Sequence, residues 1–200
     1  MIASVIAFLA RLFTGARAHW RGCAPGPTQR IYFANHTSNL DFVLLWSSFP
    51  PELRRQTRPI AAHDYWTGSS LRRWMAAHVF RAVLIERKKV TRGNNPIGPM
   101  LAALSEGSSL IIFPEGTRCP NGEMTDFKPG LYHLAKECPN VELVPVFIDN
   151  LNRVLPKGEV LPVPVLCSVT FGEPLVLLPD EPKASFIARA RDAVLNLRPA

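Results

Sequence analysis

The chain has 200 residues, 47% of them hydrophobic and 20% charged, a balance that excludes intrinsic disorder and suffices to bury one substantial core. Lys and Arg number 23 against 16 Asp and Glu, a formal net charge of +7, which favours an anionic partner: nucleic acid, a membrane surface or phosphorylated substrates. The 19 prolines are scattered as punctuation, and no internal repeat or linker divides the chain.

The first segment, "MIASVIAFLARLFTGARAHWRG", is apolar over residues 2 to 10 apart from Ser4, with Arg11, Arg17 and Arg21 following. The run falls short of the roughly 20 apolar residues that a spanning helix needs. A secretory signal would place its basic residues before the apolar stretch, not after it. Residues 1–22 are therefore expected to form a short N-terminal helix lying in a membrane interface, with Ile2, Val5, Ile6, Leu9 and Phe13 on one stripe. A helix docked on the protein core is the competing reading, and Trp20 suits either. The rest, 23–200, reads as one domain.

The first strand-length run is "RIYFA" (30–34), and it leads into "NHTSNLDFVLLW". Here a histidine and a carboxylate stand five residues apart where a strand hands over to a helix. Thr37, Ser38 or Asn39 could cap that helix, with Asp41 complementing its positive end. Asp41 could instead reach back to orient His36 as a general base. The spacing alone leaves both open.

Further apolar runs of strand length are "PIAA" (59–62), "AVLIE" (82–86), "SLIIF" (109–113), "VELVPVFI" (141–148) and "CSVTF" (167–171). Helical periodicity fills the intervals. Leu40 to Phe49 is apolar almost all round, which predicts burial. Leu71, Trp74, Met75, His78 and Val79 form a second set, with His78 expected to pack on the apolar face. Ile97, Met100, Leu101 and Leu104 form a third, and Phe186, Ile187, Ala190, Val194 and Leu197 a fourth. Strands alternating with helices predict an α/β fold: a single layered domain with a largely parallel central sheet flanked by helices. Sites in such folds gather in loops at the carboxyl ends of strands. His63 and His133 read as structural or surface histidines.

"FPEGTR" (113–118) occupies such a loop. Pro114 ends the strand ladder, Gly116 permits a path closed to other residues, and Arg118 offers a donor fork matched to a phosphate. Cys23, Cys119, Cys138 and Cys167 show no CxxC pairing and no histidine at metal-ligand spacing, which predicts a reduced cytosolic protein without a metal site. Cys119 beside the motif has no histidine near it in sequence to activate it. Basic clusters at Arg54, Arg55 and Arg58, at Arg72 and Arg73, and at Arg87, Lys88, Lys89 and Arg92 suit an anionic surface or simply a solvated one.

Four of these pieces, in this order, resemble the glycerolipid acyltransferases of the 1-acylglycerol-3-phosphate acyltransferase type. "NHTSNLD" fits NHxxxxD and "FPEGTR" matches the third motif. "AVLIER" (82–87) is similar to the second and "LVPVFI" (143–148) to the fourth, while "DFKPGLYHLA" (126–135) resembles the segment after the third. The likeness runs from about residue 30 to 176. Cys119 and Pro129 depart from the common pattern, and the apolar lead before Asn35 is short.

The resemblance implies an O-acyltransferase that moves a fatty acyl group from acyl-CoA or acyl carrier protein to the hydroxyl of a lyso-lipid, typically making phosphatidic acid, without an acyl-enzyme intermediate or a cofactor. It makes His36 the base and Asp41 its orienter, a pairing suited to neutral imidazole chemistry. It assigns Arg87 and Arg118 to the acceptor's phosphate, joined by Glu115, Gly116, Thr117 and Lys128. Asn35 is expected to support His36 or to donate to the developing oxyanion. It also implies an anionic membrane surface as partner, at its cytoplasmic face, held peripherally or monotopically, and allows other acceptors such as lyso-ornithine lipid. A catalytically idle lipid-binding protein is a second reading, against which intact His36 and Asp41 count. A nucleic-acid-binding domain is a third, suggested by charge alone and lacking any reading motif.

Overall fold

The computed structural model describes residues 2–38, 40–86, 95–119, 123–149 and 166–199. The strands are β1 (Arg17–Trp20), β2 (Arg30–Ala34), β3 (Thr57–Ala62), β4 (Val83–Ile85), β5 (Ser109–Ile112), β6 (Glu142–Asp149) and β7 (Ser168–Phe171). The helices are α1 (Ile2–Thr14), α2 (Asp41–Ser48), α3 (Pro51–Gln56), α4 (His63–Trp66), α5 (Ser70–Trp74), α6 (Ile97–Ser105), α7 (Gly130–Glu137) and α8 (Lys183–Leu195), with a π-helical turn, Met75–Val79, continuing α5.

The strands form one sheet in the order β1-β7-β6-β2-β5-β3-β4. Every adjacent pair is parallel except β6 with β7. The expected α/β architecture is thus the observed one. All five residues of β2 are buried, which explains why "RIYFA" reads as a continuous apolar run: helices cover both faces of the sheet. Tyr32 and Ala34 face a layer containing α1 and α2. Ile31 and Phe33 face the opposite layer, where α6, α7 and α8 pack.

Pro145 sits in the middle of β6 yet breaks little. It aligns with Phe33 of β2, and its carbonyl accepts from the Gly172 N–H just beyond the end of β7. Its missing donor falls where the β7 ladder has already stopped.

The N-terminal helix docks on the core through one face and leaves an apolar face exposed. Ala7 and Thr14 are buried, and Ala3 and Ile6 pack against the core beside α2. Arg11 donates through Nε to the Ser47 carbonyl (2.6 Å) and through Nη2 to that of Phe49 (3.1 Å), capping the carboxyl end of α2. The opposite face leaves Ile2, Val5, Phe8, Leu9, Leu12 and Phe13 exposed. Ile6 therefore leaves the expected stripe, while Phe8 and Leu12 join it. The helix ends at Thr14, and Gly15 turns the chain with φ +55°. Residues 17–20, expected within the helical segment, instead add an edge strand parallel to β7, anchored by Trp20 stacked on Phe171 at 3.8 Å. No helix among the described residues is long and apolar enough to cross a membrane.

His78 is not packed inside. It is exposed, stacked on Trp74 at 5.6 Å, with Nδ1 placed 3.1 Å from the Trp74 carbonyl. The π turn shifts the helical phase at Met75, so Ala76 and Val79 point inward instead.

Candidate active site

Adjacent strands β2 and β5 build the site. Phe33 pairs with Ile112, so the loops leaving their carboxyl ends start side by side. His36 stands three residues beyond Phe33, and Phe113 follows Ile112 directly. The two rings stack, with centroids 4.3 Å apart at 23°.

The loop that carries His36 is fixed from several directions. Asn35, itself buried, pairs through its amide with both backbone groups of Ile148, donating to the carbonyl (2.9 Å) and accepting from the N–H (2.8 Å). A side chain thereby extends the β2–β6 ladder by one step. The His36 N–H donates to Glu115 Oε1 at 2.7 Å, and the His36 carbonyl accepts from the Cys119 N–H at 2.9 Å. Glu115 is buried, and its Oε2 accepts from the Thr125 N–H (2.9 Å) and hydroxyl (3.0 Å). One carboxylate thus ties three stretches of chain together. Buried donors left without it would each cost about 1–3 kcal/mol.

Asp41, the first residue of α2, is fully buried. Its Oδ2 lies 2.7 Å from His36 Nδ1 and accepts from the N–H groups of Thr37 (2.7 Å) and Ser38 (2.8 Å). The capping alternative does not hold for Thr37 or Ser38. Leu40 occupies the cap position with no side-chain bond, and the Ser38 hydroxyl accepts from the Leu40 N–H at 3.3 Å. Asn39 lies outside the described residues. With Nδ1 donating to a carboxylate, the ring holds one tautomer, and the lone pair of Nε2 is the free basic position.

The His36 side chain keeps 19% of its surface accessible and lines a cavity of about 480 Å³. Its walls are largely apolar, built by Phe42, Trp66, Ile85, Ile97 and Met100 together with Leu131 and Leu134 of α7. Arg118 and Lys128 line the same cavity with His36, and neither makes an ion pair with another described residue. Glu86 also lines it and faces His63 at 3.1 Å.

Gly116 adopts φ +70°, and a Cβ there would fall 2.6 Å from Lys128 Nζ. The turn therefore needs glycine twice over, for its backbone and for the lysine lying across it. The Lys128 N–H donates to the Pro114 carbonyl at 2.8 Å, which ties the start of α7 to the turn.

Among the residues expected at a site, then, His36, Gly116, Arg118 and Lys128 share one cavity, with Asp41 directly behind His36. Asn35 and Glu115 hold the loop from inside. Thr117 is exposed on the turn, its hydroxyl donating to the Arg118 carbonyl at 3.3 Å. Arg87 and the basic cluster after it lie outside the described residues. Sequence reasoning missed Thr125, Phe113 as the shelf for the ring, and the apolar walls. Burial pushes the Cys23 and Cys138 thiols up, and the Cys167 thiol up to about 11, which keeps them protonated and poorly nucleophilic near neutral pH.

A family model described as Acyltransferase matches residues 24–149. The chain belongs to the acyltransferase family. That match spans β2 through β6 and so contains every residue of the site just described. The chain is 30% identical over 162 residues to a 1-acyl-sn-glycerol-3-phosphate acyltransferase alpha of Mus musculus, covering 75% of this chain and 51% of the relative. It is 31% identical over 157 residues to the Homo sapiens protein of the same name (72% and 50%), and 31% identical over 147 residues to Taffazin of Dictyostelium discoideum (67% and 49%). The chain thus spans about half the length of these relatives. The crystal structure of PlsC, a 1-acyl-sn-glycerophosphate acyltransferase of Thermotoga maritima, matches with a TM-score of 0.75 at 21% identity, over 100% of this chain and 80% of that one. That agreement shows the fold.

Proposed function

We propose that the chain is an O-acyltransferase that transfers a fatty acyl group from acyl-CoA or acyl carrier protein to the free hydroxyl of a lyso-lipid. The acceptor is 1-acylglycerol-3-phosphate and the product phosphatidic acid. The observation that carries this reading is the His36–Asp41 pair beside a largely apolar cavity that His36 lines together with Arg118 and Lys128.

The chemistry follows from the placement. His36 Nε2 removes the proton of the acceptor hydroxyl as its oxygen attacks the thioester carbonyl, and Asp41 stabilises the imidazolium that results. The tetrahedral intermediate collapses by breaking the carbon–sulfur bond, and the departing thiolate takes the proton back from Nε2. The new ester forms in one transfer, with no acyl group resting on the protein and no group required beyond the two substrates. Arg118 and Lys128 hold the acceptor's phosphate, and the apolar walls take an acyl chain. Holding both partners in line contributes several kcal/mol of the barrier reduction. Asn35, Glu115 and Gly116 act by positioning the loops. Arg87 and Thr117 belong to the same phosphate-binding role by family resemblance.

The exposed apolar face of α1 and the net charge of +7 support a peripheral or monotopic position at the cytoplasmic face of an anionic membrane. A panel of lyso-lipids differing in headgroup, presented with acyl-CoA and with acyl carrier protein to the purified protein, tests the reading. Transfer that depends on the phosphate monoester is the expected result. Transfer only to an acceptor without that phosphate would move the acceptor assignment elsewhere.

A further inference from the structure

We propose that α5 and the π turn after it, Ser70–Val79, form a second lipid-contacting surface, which sets the cavity close to an anionic bilayer together with α1. The inference rests on the reading that the protein works on lyso-lipids at a membrane.

Three observations carry it. The first is an outward face that no other helix or strand among the described residues covers: Leu71 is 67% and Trp74 43% exposed, one helical turn apart, with only His78 of the same segment stacked on Trp74. The inward face of the same segment is fully engaged. Ala76, Val79 and Phe80 are buried, and Phe80 meets Phe42 and Trp46 of α2 edge-on at 5.0 and 5.1 Å. Leu71 and Trp74 are therefore not the loose edge of a poorly packed element.

The second is charge. Arg72 and Arg73 stand between the apolar pair in the chain, and neither makes an ion pair with another described residue. Arg72 lies over the Tyr65 ring at 4.5 Å, and Arg73 donates to the Thr67 carbonyl at 3.2 Å. An amphipathic tryptophan beside arginines whose charge no described carboxylate neutralises is the composition that settles at a headgroup boundary.

The third is placement. Met75, Val79 and Phe80 pack into the same core cluster as Ala3, Ile6 and Ala7 of α1, with α2 between them. Both exposed apolar faces thus belong to the layer over one face of the sheet. Tyr65 and Trp66, just before this segment, line the cavity. A bilayer held on this segment would lie next to those cavity-lining residues, which gives a lyso-lipid a short route from the membrane to the cavity. That continuity with α1 selects a lipid surface over an acidic carrier protein as the occupant.

The test uses the full chain and vesicles of phosphatidylcholine with and without phosphatidylglycerol. The double variant Leu71→Glu/Trp74→Glu should lower partition onto the anionic vesicles about tenfold and raise KM for a vesicle-presented acceptor. Turnover of a short-chain, monomeric acceptor should not change. Brominated lipid should quench a component of the tryptophan emission that Trp74→Phe removes, a readout that does not depend on the double variant folding. Unchanged partition together with unquenched Trp74 overturns the proposal, as does unchanged partition with lost binding of acyl carrier protein, which would assign the patch to that partner. If the unsubstituted protein fails to bind any vesicle, the membrane reading itself fails, and that outcome is distinct from failure of this segment alone.

Discussion

At His36, a single carboxylate oxygen decides what the ring can do. Asp41 Oδ2 takes His36 Nδ1 and two backbone N–H groups, so the ring cannot turn or change tautomer without breaking a buried network. Asp41→Asn keeps the shape but removes the charge, and should lower kcat by about 10²–10⁴-fold, out of proportion to a stability loss of about 1–3 kcal/mol from the weakened bonds to the Thr37 and Ser38 N–H groups. Steady-state kinetics beside a melting curve checks this, and stability lost in proportion to activity would make Asp41 structural. Glu115→Gln should act in the opposite proportion. It loses charge-assisted bonds to His36 N–H and Thr125, so stability should fall by about 1–3 kcal/mol, measured by denaturant unfolding.

Two residues away from the chemistry set the alkaline limit. Burial pushes the Tyr32 phenol up to about 12 against the opposing pull of the nearby Arg30 guanidinium, and its hydroxyl makes no well-formed hydrogen bond to another described residue. An acid whose folded pKa is raised keeps its full contribution below the unfolded value, near 10, and loses it as pH rises through 12. Cys167, raised to about 11, adds a loss that begins lower. Tyr32→Phe should be neutral or stabilising near pH 7 and should flatten the alkaline decline, as read from unfolding midpoints across that range.

Among the elements, α1 shows why deletion is a poor probe. Removing it would strip Ala7 from the core and free the Ser47 and Phe49 carbonyls from Arg11. Phe8→Asn/Leu12→Asn alters only the outward face, and should weaken binding to anionic vesicles while leaving the melting temperature within about a degree or two. Unaltered vesicle binding would remove α1 from the membrane contact. The strands "RIYFA" and "SLIIF" were legible because both faces are buried, so every residue after the first, Arg30 and Ser109, is apolar. β1, "RAHW", was not, because an edge strand with three exposed residues has no period to read. Short helices α3, α4 and α7 escaped for a related reason. A turn or two offers too few positions for a 3.6-residue repeat, and the π turn misplaced His78 by breaking that repeat.

Across the whole molecule, the sequence placed the two motif loops at strand ends, and the parallel order β2–β5 explains why they meet. What could not be read was how the loops are held. Asn35 and Glu115 look like site residues in sequence, but the backbone groups they hold, those of Ile148 and the His36 N–H, lie 113 and 79 residues away in the chain. The cavity walls were equally hidden, since apolar residues from five or more elements carry no shared signature until the sheet assembles. The most direct measurement is transfer of labelled acyl groups from acyl-CoA to 1-acylglycerol-3-phosphate by the unsubstituted protein and His36→Ala, side by side at equal folded concentration. The account predicts diacyl product from the first and a loss of about 10²-fold or more in the second; equal product from both would contradict it.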